Sequence, residues 1–227
     1  MRNKLQSFCF FVAFFFIANA NAQNTDAGNW FLYFGNQKIN KRWNCHNEVQ
    51  YRNYNLAGDL EQLLLRTGIG YNLSENNNTV LLGYAFVHSE PYIAGTDKKS
   101  NTNEHRIFQQ FITKEKFGRV NIQHRYRVEQ RFMEEDYKMR LRYFLSLNVP
   151  LTKKEMEKNA VYASAYNEIF INTKPNYFDR DRVYGGVGYC FNKNFKVEAG
   201  VMTQILSSSS RTQFQVMFFN SLPFRTK

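Results

Sequence analysis

Long apolar runs are missing from this chain once its first twenty residues are passed. Leu63-Leu64-Leu65 and Phe218-Phe219 are the most apolar clusters, and both are far shorter than a membrane-spanning helix needs. With a mean hydropathy of -0.54, a helical membrane protein is excluded. A transmembrane barrel is not, because its inward face is polar and halves the average. Helical periodicity is absent as well. Cysteine is scarce: of three, Cys9 lies in the leader-like start, leaving Cys45 and Cys190. These two fall in different predicted strands on opposite parities, so they read as small strand residues rather than a disulfide. No CxxC or His/Cys spacing suggests a metal, and no cofactor is expected. Acids are few, 19 against 30 Lys and Arg. Inside a cell that balance would suggest nucleic acid, but no nucleic-acid motif occurs and no such partner is expected. GxSxG is absent too.

What is present begins with a signal for export. Arg2 and Lys4 precede an apolar run, Phe8–Ala18, and Ala20-Asn21-Ala22 supplies the small-residue cleavage pattern. Residues 1–22 are expected to be removed, leaving a domain over 23–227. Arg2 and Lys4 are the only charges lost, so net charge falls from +11 to +9. Aromatic residues make up 17% of the chain, and Tyr and Trp suit membrane interfaces.

The clearest pattern runs from Arg119 to Val149. Val120, Ile122, His124, Tyr126, Val128, Gln130 and Phe132 alternate with Arg119, Asn121, Gln123, Arg125, Arg127, Glu129 and Arg131. After an acidic turn, Met133–Asp136, the odd residues Tyr137 to Val149 are apolar, and the even ones include Lys138, Arg140 and Arg142. Successive strand side chains point to opposite faces, so each segment is a strand with one apolar and one charged face.

The same reading gives further strands at Trp30–Lys38, Trp43–Asn53, Leu60–Leu73, Thr79–His88 and Glu104–Thr113. Others follow at Ala160–Asn172, Asp179–Phe191, Phe195–Ile205 and Arg211–Phe224. The longest connection, Ser89–Asn103, is a surface loop by composition. Strands of about ten residues or more match a tilted bilayer crossing. The expected fold is therefore an all-β, up-and-down antiparallel transmembrane β-barrel in the outer membrane of a Gram-negative bacterium. Bacterial barrels use even strand numbers. Trp30–Lys38 is apolar on both faces and is one strand too many. About ten strands are expected, with that segment outside the wall, or twelve if one more exists.

An ordered series of short motifs runs through the chain. Trp30 comes first, followed by Trp43 with Glu48-Val49-Gln50-Tyr51-Arg52, Arg66-Thr67-Gly68-Ile69-Gly70-Tyr71 and Gly83-Tyr84. Glu104 to Gln110, Arg125 to Phe132, Arg140-Leu141-Arg142-Tyr143 and Asn167-Glu168 follow. Together they resemble domain-of-unknown-function family 2490, predicted outer-membrane proteins of Bacteroidota. Phe108 stands where Trp is expected. The resemblance implies a barrel in the envelope and no activity.

Inward parity collects the residues most able to act. The basic cluster is Arg52, Arg66, Arg106, Arg125, Arg127, Arg131, Arg140 and Arg142, with Arg119, Lys138, Arg180, Arg182 and Lys196 on the same parity. Its acidic partners are Glu48, Glu129 and Glu168, with Glu104 and Glu198. A dry interior cannot hold that excess, because an unpaired buried charge costs several kcal/mol. Water, a bound anion or placement at the rims must account for it. Two roles fit: an Arg–Glu lattice bracing the wall of a structural barrel, or a narrow anion-favouring pore or ligand pocket. The alternative is a lipid-modifying enzyme, a hydrolase or acyltransferase, with Ser and His facing lipid. Ser146 and His124 have opposite parity, out of hydrogen-bond reach, so no catalytic residue is assigned and no enzyme is expected. The expected partners are outer-membrane lipid and the barrel-assembly machinery.

Overall fold

The computed structural model describes residues 28–74 and 77–224. The expected signal segment, 1–22, lies outside them. Eleven strands follow one another: β1 Gly28–Lys38, β2 Trp43–Asn53, β3 Leu60–Asn72, β4 Asn78–Ser89, β5 Thr102–Phe117 and β6 Val120–Met133. The rest are β7 Tyr137–Pro150, β8 Val161–Asn172, β9 Phe178–Cys190, β10 Phe195–Ile205 and β11 Ser210–Asn220. Each pairs antiparallel with its neighbours in the chain, and β1 closes the sheet on β11. The result is an all-β closed barrel.

The strand number corrects the expectation of ten or twelve. Trp30–Lys38 belongs to the wall. Gly28–Gly35 pairs with Gln213–Asn220 in parallel, and β1 pairs antiparallel with β2 from Asn29 to Lys38. In an odd-numbered meander the first and last strands run the same way, so closure must be parallel. The alternative is two open edges with unpaired N–H and C=O groups, which neither lipid nor a stable sheet tolerates.

Alternation holds around the wall. Leu65, Ile69, Leu82, Ile107, Leu141, Val183, Val187, Val201 and Phe214 face out and are exposed. The inward parity of the same strands is buried, although much of it is polar. Cys45 faces out, Cys190 is buried inside, and both are free thiols. The β5–β6 hairpin turns on two residues, Gly118 and Arg119. Gly118 adopts φ 58°, a left-handed conformation that glycine takes without steric cost and that suits such a turn.

The interior is filled by side chains that reach across it. On one side Trp30, Leu32, Tyr184, Met202 and Met217 form an apolar cluster, joined by Phe34, Tyr166 and Phe219. The Tyr166 hydroxyl donates to Gln215 Oε1 at 2.8 Å, linking β8 to β11. Rings lie over glycines where the backbone must be bare: a Cβ on Gly188 would stand 2.1 Å from Tyr162 Cζ. The 39–42, 118–119, 151–160 and 191–194 connections share one rim. There the 151–160 segment folds inward, with Ala160 buried and Met156 packed on the Tyr162 and Cys190 cluster. The opposite rim, where β1 begins, carries the 54–59, 90–101, 134–136, 173–177 and 206–209 connections.

Candidate functional site: an arginine-rich lumen

β6 and β7 set the site. In their register Glu129 lies opposite Arg140, and Arg127 opposite Arg142. Two guanidiniums face to face would repel. Glu129 resolves this by accepting from Arg127 Nη1 at 3.3 Å, from Arg140 Nη2 at 2.7 Å and from Arg142 Nη1 at 2.5 Å. Glu129 has no exposed surface at all. A carboxylate held by several charge-assisted donors is the arrangement that makes a buried charge tolerable.

From Glu129 the network spreads through the lumen. Arg142 also donates to Glu168 Oε1 at 2.6 Å, and Arg125, two strands from β8, reaches the same oxygen at 2.7 Å. Arg66 pairs with Glu48 at 2.5 Å and stands 4.0 Å from Glu129 across the barrel. Glu48 also contacts His46 Nε2 at 3.2 Å. Toward the β1 rim, Arg106 grips Glu104 with two bonds of 2.8 Å, and Arg131 donates to both oxygens of the same carboxylate. All eight predicted arginines and all three predicted glutamates thus face the lumen. Ten of the eleven join ionic contacts there. Arg52 is the exception, donating only to the side chains of Gln50 and Gln62.

Aromatic rings supply the rest of the environment. Arg66 and Arg127 lie over Phe108 with their guanidinium carbons 5.3 and 4.7 Å from its centre. Phe170 carries Arg142 at 4.4 Å, Arg182 at 4.8 Å and Arg140 at 5.0 Å. Trp30 carries Arg52 at 3.9 Å and Arg182 at 5.0 Å. Planar guanidinium on a ring face is favourable and fixes its orientation. The sequence reading passed over these rings. Phe108 and Phe170 could have been found, since each sits on inward parity two residues from Arg106 and Glu168.

Asp179 was also missed, and parity could not have found it. Phe170 pairs with Arg180 and Ile171 with Phe178, so Asp179 is the extra residue of a bulge on β9. The bulge re-aims one side chain. Asp179 accepts from Arg140 Nη1 at 2.7 Å and from Arg180 Nε at 3.1 Å.

Two of the inward-parity bases belong to the rims. Arg119 donates to the carbonyls of Pro150, Leu151 and Lys153, and Lys138 pairs with Asp136 at 2.9 Å near the surface. At the β1 rim the 90–101 connection is tied down. Lys99 Nζ pairs with Asp59 at 2.5 Å and sits 5.6 and 5.2 Å from the ring centres of Tyr54 and Tyr92. Desolvation opposes the Lys99 ammonium, but the hydrogen bond and charge of Asp59, with Tyr92 and Glu90, together outweigh it and raise its pKa.

A cavity of about 470 Å³ occupies the lumen between this rim and the lattice. Its walls include Arg52, Arg66, Arg106, Arg131, Arg140, Arg142, Arg180 and Arg182, with Gln50, Leu64 and Phe170. The outward histidines keep to themselves. His105 contacts the Tyr84 hydroxyl at 2.5 Å, His124 the Tyr143 hydroxyl at 2.8 Å, and His88 the Asn103 side chain at 2.8 Å and Glu90 at 3.4 Å. Ser146 faces the lumen and His124 faces out, on opposite sides of the wall.

No curated protein and no solved structure matches this chain. A family model described as a protein of unknown function, DUF2490, matches residues 27–215. That span takes in ten complete strands and the first half of β11, with every arginine and glutamate of the lattice. The chain belongs to the DUF2490 family.

Proposed function

We propose that this protein is an outer-membrane barrel that is braced from within and does not conduct. In this reading it is exported through its first 22 residues and inserted by the barrel-assembly machinery, with lipid around its wall. The observation that carries the reading is Glu129, fully buried at mid-lumen and bonded to three arginines on two strands. Such a group ties strands together and is itself out of contact with water. Phe108, Arg127 and Phe170 around it are each at most 2% exposed. This supports the brace over the pore.

The outer wall supports a lipid environment. A soluble monomer rarely exposes so continuous an apolar surface. Several outward polar side chains are paired in the way hydrocarbon demands. Gln109 and Gln130 bond to each other, Thr203 to Thr212, and Asn167 Nδ2 donates to Asp181 Oδ1 at 2.8 Å. The reading includes no catalytic step. It is supported by the partners of the outward histidines, which are tyrosine, asparagine and glutamate side chains rather than serine hydroxyls.

The test is direct. The protein is recovered from the outer-membrane fraction, checked for heat-modifiable migration and placed in a planar bilayer. The expected result is a folded barrel and a silent bilayer. Steady anion-selective current would put the pore in place of the brace, and recovery as a soluble periplasmic monomer would remove the membrane reading.

A further inference from the structure

The lattice does not absorb all of its cations. Eight arginines line the 470 Å³ cavity at the β1 rim. The carboxylates that contact them are five: Glu48, Glu104, Glu129, Glu168 and Asp179. Eight against five leaves an excess of at least three, because Arg125 and Arg127 draw on the same acids. Glu134, Glu135 and Asp136 sit at the lip and are exposed. Solvent screens them, and they cannot neutralise the floor.

Two arginines concentrate the excess. Arg52 is 7% exposed, and no carboxylate contacts it among the described residues. Arg182 donates to Gln204 at 2.9 and 3.0 Å, while the carboxylate oxygen within its range, Glu168 Oε2, stands 4.0 Å away. Both stack on Trp30. The indole Nε1 of Trp30 is itself a buried donor with no acceptor among the described residues. Two guanidinium forks therefore share one end of the lumen, Arg52 with no carboxylate contact among the described residues and Arg182 with one at 4.0 Å.

We propose that the cavity binds a phosphate-class oxyanion, a phosphate or phosphate monoester, held chiefly by Arg52 and Arg182. A phosphate monoester carries about −1.5 to −2 at neutral pH and offers three strong acceptor oxygens. That matches two forks whose hydrogen bonds go to neutral glutamine oxygens better than a single carboxylate, which brings one charge. Leu64 and Phe170 line the same cavity and give an ester substituent an apolar surface. The volume falls within the roughly 300–1,000 Å³ of small-molecule sites.

The proposal rests on the closed floor of the reading above, and the two fail separately: conductance tests the floor, and binding tests the site. Full-length mature protein in neutral detergent is titrated with inorganic phosphate and with glycerol phosphate, and in neutral nanodiscs with phosphatidic acid. Saturable binding of a soluble probe is expected, weakened at least tenfold in Arg52→Gln and in Arg182→Gln. Binding of phosphatidic acid alone assigns the same site to a lipid headgroup. Neither variant strips a carboxylate of its main partner, so both should keep heat-modifiable migration. Should they misassemble, phosphate must still protect Arg52 and Arg182 of the wild type from phenylglyoxal, read by mass spectrometry. The proposal is overturned by no saturable binding of any probe, by unchanged affinity in a folded variant, or by unchanged phenylglyoxal labelling.

Discussion

On the inner face of β5 to β8 the large side chains include Arg106, Arg127, Glu129, Arg140, Arg142 and Glu168, with Phe108 and Phe170 beneath the guanidiniums, whereas on β9 to β11 and β1 they include Tyr184, Met202, Met217, Trp30 and Leu32. Both sectors fill the same lumen. The first does so with long charged chains, each carboxylate shared among several guanidiniums. The second does so with rings and thioethers laid over bare backbone, as at Gly188 beneath Tyr162. An eight-stranded barrel is already just wide enough for ordinary side chains to fill. Eleven strands leave more space, and here arginine, tyrosine and tryptophan span it. Where the two sectors meet, Phe170 and Trp30 carry guanidiniums on their faces. The difference teaches that the ionic sector is only as stable as its shared acids, while the aromatic sector tolerates local loss.

Breaking the ionic sector at its hub should have the largest effect. Glu129→Ala leaves Arg127, Arg140 and Arg142 without their common acceptor. Removing one member of a buried ionic set costs about 3–5 kcal/mol, so the variant is expected to lose heat-modifiable migration. An assembled Glu129→Ala barrel with wild-type urea resistance would show that the lattice is not the brace.

The matching cut in the aromatic sector is Met202→Ala. Met202 is fully buried among Trp30, Tyr184 and Met217. The loss should be about 2–3 kcal/mol, toward the lower end for a buried Met→Ala. Urea unfolding in vesicles would read it, with assembly retained. A loss as severe as that of the Glu129 variant would erase the contrast between the sectors.

The smallest effect belongs outside both. Lys116 pairs with Glu155 at the far rim, and both are exposed. Lys116→Ala should change stability by no more than about 0.2–1 kcal/mol, near the detection limit of the same unfolding assay. A larger change would mean that the rim connection over 151–160 bears on barrel closure.

Much of the lattice was legible because alternation is strict. Arg125, Arg127, Glu129 and Arg131 are two residues apart, and a strand has no freedom to divide them between faces. The same rule placed Arg52, Arg66, Arg106, Arg140, Arg142, Glu48 and Glu168. It failed where the period was broken or silent. Asp179 stands at a bulge, which shifts parity by one residue and leaves no trace in composition. Gly28–Lys38 is apolar on both faces, so its pattern could not say that Trp30 points at Arg52 and Arg182.

The sequence by itself determined which side chains face the lumen along most strands, because that depends only on each residue's immediate neighbours in the chain. Only the tertiary structure decided three matters: that eleven strands close in parallel through β1 and β11, which acid each arginine meets, and that Arg52 meets none among the described residues. Each of these is a contact between residues far apart in the chain. Such contacts are set by the register and curvature of the whole sheet, which no local pattern encodes.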